Sequence, residues 1–252
     1  IKELPQLSIP EIAYTAMAPY VGDEIPKAVL EEILKNTLDF DFPVVPVTEN
    51  IGSLELFHGP TLAFKDVGAR FMAQSLGYFN SQKSDQKVTV LVATSGDTGG
   101  AVANGFLGVE GIDVVILYPK GKVSKVQEQQ LTTLGQNITA LEIDGVFDDC
   151  QDMVKTAFLD KEITTTRKLT SANSINVARW LPQMLYYFIA YRQLAERKQP
   201  FVFSVPSGNF GNICAGMMGQ NMGLPIDHFI AATNINDAVP TYLETGEYAA
   251  VK

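Results

Sequence analysis

The chain has 252 residues, 46% of them hydrophobic and 19% charged, with a formal net charge of -9. That much apolar material supports one large domain or two smaller ones and excludes a disordered, low-complexity chain. The acidic balance argues against nucleic acid as the main ligand, because phosphate backbones are held by basic faces, and no apolar run approaches the roughly 18–20 residues of a membrane helix.

The first 50 residues alternate short helical stretches with prolines. Ser8-Ile9-Pro10-Glu11 predicts a helix start, with Ser8 or a neighbour capping and Pro10 in the first turn, and Ala28–Leu38 carries Val29, Ile33, Leu34 and Leu38 at helical spacing. Val67, Phe71, Leu76 and Phe79 predict a further helix with Asp66 as its N-cap. From Val88 the pattern alternates strand and helix. Val88–Ala93 is an apolar run suited to a parallel strand buried on both faces. A Gly-rich turn over 94–100 leads into a helix from Ala101. Strands follow at Asp113–Tyr118 and Asn137–Ile143, with a helix capped by Ser124 between them and another carrying Phe147, Val154 and Phe158 after them.

The second half repeats this logic. Asn176–Leu194 is a long apolar helix pattern that Pro182 kinks or divides. Phe201–Val205 is a strand running into Pro206–Asn212, followed by a helix over Ile213–Met222 and a strand over Phe229–Thr233. The fold class is therefore α/β: two open, mostly parallel α/β units behind a helical N-terminal segment. Composition shifts near Lys87 and Thr166 divide the chain into a helical segment at 1–50, a small α/β domain at 87–165, and a large domain built from 51–86 and 166–252.

Three stretches carry chemistry. In Leu56-Phe57-His58-Gly59-Pro60-Thr61-Leu62-Ala63-Phe64-Lys65-Asp66, Lys65 stands just before a helix N-terminus behind apolar neighbours. The helix dipole and partial burial both disfavour an ammonium there, so Lys65 is either a nucleophilic amine or a surface lysine with a buried stem. The turn Ser95-Gly96-Asp97-Thr98-Gly99-Gly100 sits between a strand and a helix, the layout that presents N–H groups to an anion; it also fits an ordinary strand-to-helix turn. Ser207-Gly208-Asn209-Phe210-Gly211-Asn212 repeats the layout and could cradle a phosphate with main-chain donors alone. Two such loops at the carboxyl ends of parallel strands mark the edge where open α/β sheets bind ligands.

Other signatures are missing. GxxxxGK[ST], GxGxxG and GxSxG do not occur, which removes support for NTPase, dinucleotide and hydrolase readings. His58 and His228 are too few for a HExxH zinc site and read as packing or hydrogen-bonding residues. Cys150 and Cys214 form neither a disulfide framework nor a metal pair, so no metal is expected and an intracellular, cytoplasmic setting fits.

Together the motifs resemble the threonine synthases, a branch of the fold type II, or tryptophan synthase β, family of pyridoxal-phosphate enzymes. The resemblance rests on Leu56–Asp66, Ala93–Gly99, Ser171–Arg179 and Pro206–Asn212 in that order and runs over nearly the whole chain. It implies pyridoxal 5'-phosphate as cofactor, with Lys65 its Schiff-base lysine and the catalytic base. It implies that Gly208, Asn209, Phe210, Gly211 and Asn212 hold the cofactor phosphate, and that Thr94–Thr98 contacts the cofactor ring oxygen and the substrate carboxylate. Within that loop it assigns Asp97 to the cofactor, and Thr94, Ser95 and Thr98 to the substrate; many relatives carry asparagine at the position of Asp97. It assigns Asn173, Ser174 and Arg179 to the phosphate of O-phospho-L-homoserine. By itself, the Ser171–Arg179 stretch favours a capped helix with an exposed arginine. The implied reaction is a carbon–oxygen lyase step giving L-threonine and phosphate, in a protein that is a monomer or homodimer and binds neither nucleic acid nor membrane. The alternatives are another fold type II lyase, such as a dehydratase or a phospho-amino-acid lyase, a catalytically silent cofactor-binding relative, or a sugar-phosphate binder. The family's serine or threonine at the pyridine nitrogen has no matching segment here, and the resemblance places it beyond Lys252.

Overall fold

The computed structural model describes residues 1, 3–82, 87–197 and 199–248. The chain opens with α1 (Ile9–Val21) and α2 (Lys27–Thr37). Ser8 caps α1 in a reciprocal box: its side chain accepts from the Glu11 N–H, and the Glu11 carboxylate accepts from the Ser8 N–H at 2.8 Å. Ile12, Ala16 and Met17 of α1 and Leu30, Ile33 and Leu34 of α2 are buried in one apolar cluster. A short antiparallel pair that the sequence pattern did not announce, β1 (Val44–Pro46) and β2 (Gly52–Leu54), follows.

Next comes α3 (Asp66–Ser81), and its two faces explain its place. Val67 and Phe71 pack with α1 and α2, whereas Ala69, Met72 and Ala73 belong to a second cluster under the central sheet. A helix buried on both sides cannot shift without opening two cores, so its N-terminus is a firm mount for a functional residue.

The central sheet contains β3 (Val88–Ala93), β4 (Ile112–Pro119), β5 (Ile138–Ile143) and β6 (Lys168–Ser171), all parallel, in the order β5-β4-β3-β6. All six residues of β3 are buried, as the unbroken apolar run predicts for a strand covered on both faces. Between the strands lie α4 (Asp97–Phe106), α5 (Lys125–Thr132), α6 (Phe147–Leu159) and α7 (Lys161–Thr166). Val90, Val92, Val114 and Ile116 face α4 and α5, while Leu91, Ala93 and Leu117 meet Cys150 and Val154 of α6. Each of the valine, leucine and isoleucine side chains among them contributes roughly 1.5–3 kcal/mol of burial. Ser124 caps α5, as its position predicts. Strand β6 lies past the composition shift at Thr166 and yet pairs with β3, from Val88↔Lys168 to Leu91↔Ser171.

The remaining elements are α8 (Val177–Trp180), a 3-10 turn at Leu181–Gln183, α9 (Met184–Leu194), β7 (Phe201–Pro206), α10 (Gly211–Asn221), β8 (Ile226–Ala232) and α11 (Ala238–Thr245). Pro182 divides the long apolar pattern into α8 and α9, because a proline ring has no N–H to give. Strands β7 and β8 pair in parallel, with α10 between them in the chain. Among the described residues no helix is long and apolar enough to cross a membrane.

Candidate active site

Lys65 is the N-cap of α3, so the expectation that Asp66 caps this helix is corrected: Asp66 is its first residue. The Asp66 carboxylate turns back instead, accepting from the Thr61 N–H at 3.0 Å and from the Thr61 hydroxyl. This closes the loop ahead of Lys65, in which Leu62 adopts a left-handed φ of 60°. The Tyr186 hydroxyl of α9 donates to the Phe64 carbonyl, fixing the backbone on the other side. Lys65 is half-buried, with Nζ 5.6 Å from the centre of the Phe64 ring. Its pKa is lowered, chiefly by burial; Asp97 opposes that shift and Arg179 adds to it. Burial also raises the Asp66 pKa, against the Thr61 hydrogen bonds and Arg70. Lys65 is therefore a half-buried amine of lowered proton affinity rather than a lysine whose Nζ stands free in water.

Helix α4 starts at Asp97, four residues before the expected Ala101, so Asp97-Thr98-Gly99-Gly100 forms its first turn. Thr94 is buried, and its hydroxyl accepts from the N–H groups of Gly96 and Gly99 at 3.0 and 2.9 Å. Its own N–H donates to the Leu117 carbonyl at 3.0 Å. Thr94 thus shapes the loop from within, and Ser95 and Asp97 are the exposed members. The Asn173 side chain extends the sheet by one rung: it donates to the Ala93 carbonyl at 2.9 Å and accepts from the Ala93 N–H at 3.3 Å. The same side chain therefore ties the Ser171–Arg179 stretch to the end of β3. Asn176 caps α8 and also donates to the Ser171 carbonyl at 3.0 Å, leaving Ser174 exposed between them.

Arg179 corrects the reading of this stretch as a helix with an exposed arginine, since it is only 2% exposed. Its Nε and Nη1 meet no hydrogen-bond partner among the described residues. Burial pulls its pKa down to about 10 against the pull of Tyr186 and Asp66. A buried guanidinium with open donors is costly, and an incoming anion would offset the cost. The mount is tight: a Cβ at Gly68 of α3 would lie 2.1 Å from the Arg179 carbonyl, so only glycine allows this approach of α3 and α8.

The fourth stretch joins β7 to α10. The Phe210 N–H donates to the Ser207 carbonyl at 2.8 Å, and Gly208 and Phe210 take left-handed φ values of 50° and 61°. Gly208 and Asn209 donate to no acceptor among the described residues, and Gly211 and Asn212 are the first residues of α10, whose N–H groups have no partner within the helix. A Cβ at Gly208 would touch nothing within 4 Å, so the cradle is open. Asn212 donates to the Pro206 carbonyl at 2.8 Å, and the Tyr187 hydroxyl donates to the Asn212 carbonyl at 2.7 Å, fixing its shape. At Gly211 the nearest atoms belong to Trp180 and Ser174, so this cradle and the Asn173–Arg179 stretch adjoin.

The fold thus brings together the four stretches singled out in the sequence. The N–H groups of the β7–α10 turn fit an anionic phosphate at a helix N-terminus, and the buried amine of Lys65 fits an aldehyde. Pattern reading missed Tyr186, Tyr187 and Gln183: their positions in an apolar helical stretch announce core, and nothing local says that their polar tips reach functional loops. His58 and His228 each bond a neighbouring carboxylate, Glu55 at 2.7 Å and Asp227 at 2.8 Å.

Residues 53–252 match the family described as pyridoxal-phosphate dependent enzyme. Threonine synthase of Haemophilus influenzae is 51% identical over 98% of this chain, which spans 58% of that relative's length. The crystal structure of threonine synthase from Escherichia coli superposes with a TM-score of 0.91 at 48% identity, covering 99% of this chain and 58% of that one. The pyridoxal-phosphate-bound threonine synthase from Brucella melitensis gives 0.90 at 43% identity, over 97% of this chain and 54% of its own. An amine at a doubly buried helix start, a main-chain anion cradle and these likenesses agree: the chain belongs to the pyridoxal-phosphate dependent enzymes.

Proposed function

We propose that this protein acts as a threonine synthase, converting O-phospho-L-homoserine and water to L-threonine and phosphate. The observation that carries the reading is Arg179, a buried guanidinium with two open nitrogens, placed where it acts on the Lys65 amine. An unphosphorylated amino acid would leave that charge unpaired, whereas a phosphate oxygen pair matches its planar fork. On this proposal Asn173 and Ser174, from the same stretch, add polar contacts to that group. In this reading Gly208, Asn209, Phe210, Gly211 and Asn212 hold the cofactor phosphate, Asp97 faces the cofactor, and Ser95 and Thr98 orient the substrate carboxylate on the loop that Thr94 shapes.

Pyridoxal phosphate supplies the electron sink when bound. The chain's own work is binding and proton movement. The carbon–oxygen bond at the γ carbon breaks with phosphate leaving, water adds its oxygen at the β carbon, and the γ carbon becomes the methyl of threonine. One amine within reach of adjacent carbons can take and return the protons this requires, and we give that role to Lys65. We assign the protein to the cytoplasm and to action on a free amino acid, as a monomer or homodimer.

The test pairs a spectrum with turnover. Borohydride should abolish the visible band of the cofactor-loaded protein and leave the cofactor covalently fixed on the Lys65 peptide, and O-phospho-L-homoserine should yield phosphate and threonine in equal amounts. Conversion of threonine or serine to a keto acid, with no phosphate release, would transfer the protein to the dehydratases. Arg179→Met should lower kcat/KM for the phosphorylated substrate by roughly 100- to 1000-fold, as expected when one partner of a buried charged pair is removed.

A further inference from the structure

We propose that Gln127 is a positioning residue that fixes the orientation of the Asp97 carboxylate on α4, and through it the charge felt by the Lys65 amine at the start of α3. The inference rests on the cofactor reading of the site and asks what Asp97 gains there over a neutral amide.

The geometry starts from helix α5, whose first turn faces the start of α4. Gln127 Nε2 donates to Asp97 Oδ1. The amide is itself oriented, because the Ser124 hydroxyl donates to Gln127 Oε1 at 3.0 Å. That donation uses the carbonyl end and leaves the NH₂ end for Asp97. Room for the contact comes from Gly96, where a Cβ would lie 2.7 and 2.8 Å from the two amide atoms of Gln127. One turn later Gln130 lies against Gly100 in the same way, and its Nε2 donates to the Thr61 carbonyl at 3.3 Å. Thr61 in turn is bound through its N–H and hydroxyl to Asp66, the residue after Lys65. Helix α5 therefore grips both the carboxylate and the loop that carries the amine, and fixes one relative to the other.

A free aspartate at an exposed helix start would sample several rotamers, and its charge would be screened by water. Bound at Oδ1, the carboxylate keeps one orientation. The charged groups acting on Lys65 are Asp97 from α4 and Arg179 from α8; Asp97 raises its proton affinity, against burial and Arg179, which lower it. An asparagine in place of Asp97 would accept the same hydrogen bond and supply no charge, which is the difference the carboxylate makes.

The readout is the pH midpoint at which Lys65 becomes reactive, measured in the cofactor-free protein by trace acetylation and peptide mapping. Gln127→Met, of similar volume but without a donor, should release the carboxylate and move the midpoint down by about half a unit or more. Asp97→Asn should move it in the same direction, and adding Gln127→Met to Asp97→Asn should shift it no further, since both act through one charge. Gln127→Asn, too short to reach Asp97, should reproduce the shift and serves if the methionine variant is unstable. An unchanged midpoint in both Gln127 variants, or additive shifts in the double variant, would overturn the proposal. Failure of pyridoxal phosphate to label Lys65 in the parent, with these shifts intact, would sink the cofactor reading and leave the pairing of Gln127, Asp97 and Lys65 standing.

Discussion

The turns β3–α4 and β7–α10 look alike in sequence, each a strand running into small polar residues and then a helix, yet they spend their donors differently. In the first, the Thr94 hydroxyl takes the N–H groups of Gly96 and Gly99, so a buried side chain holds the loop from within, while the N–H groups of Ser95, Asp97 and Thr98 meet no acceptor among the described residues. In the second, the N–H groups of Gly208 and Asn209 meet no acceptor among the described residues, and the backbone itself faces outward. A loop whose glycine amides are taken by a buried side chain presents the side chains between them in defined orientation. A loop that leaves them open suits an anion that accepts from several directions. A strand, a glycine-rich turn and a helix therefore do not determine the ligand; the fate of each N–H does.

The sharpest way to break this contrast is to add one methyl group to each loop. Gly96 has a φ of 154° and would bring a Cβ to 2.7 Å from the Gln127 amide, whereas Gly208 has a φ of 50° and open space. Gly96→Ala should cost about 3 kcal/mol, from a backbone region closed to alanine together with displacement of Gln127. Gly208→Ala should cost about 1 kcal/mol, the strain of a left-handed residue alone. Urea unfolding of the two variants measures the difference, and equal losses would mean that the first loop is not held from within.

The sequence made the four stretches visible because each requires particular residues at fixed spacing: Lys65 before a helix, Asp97 after a buried strand, Asn173 to Arg179, and Gly208 to Asn212. It also placed most strands and helices, since β3 and β4 are apolar runs and Ser8 and Ser124 are caps. What it hid depends on contacts between distant segments. Strand β6 is short and polar, and becomes a strand by pairing with β3. Arg179 reads as a solvent-facing helix residue until Gly68 of α3 packs against its carbonyl and buries it. Asp66 resembles a cap by position, but its carboxylate finds Thr61 five residues back. In each case local pattern names the residue, and tertiary packing decides its job.

A smaller change sharpens the comparison from the second loop's side. Tyr187→Phe removes only the hydrogen bond to the Asn212 carbonyl, at 2.7 Å, which holds the cradle in shape. The expected loss is about 1 kcal/mol in stability with a several-fold weaker affinity for pyridoxal phosphate, read by fluorescence titration. An equal affinity with lower stability would show that the cradle keeps its form without the tyrosine.

The smallest effect concerns the amine that both loops serve. Burial lowers the Lys65 pKa in the folded protein below its ordinary value of 10.5, so between the lowered value and 10.5 the unfolded chain binds more protons. Stability of the parent should then rise with pH across that window, and the cost of holding the ammonium is fully present below it. Lys65→Met removes the cost. At neutral pH the variant should unfold at a slightly higher temperature than the parent, by less than about 1 kcal/mol because solvent still screens the half-buried amine. The advantage should shrink as pH rises through that window, because the parent's amine is neutral in both states only above 10.5. Thermal unfolding of the cofactor-free proteins from pH 7 to pH 10 follows it. A variant less stable than the parent at neutral pH would mean that attraction to Asp97 outweighs burial, and that the amine rests as an ammonium paired to the first loop while it awaits what the second loop binds.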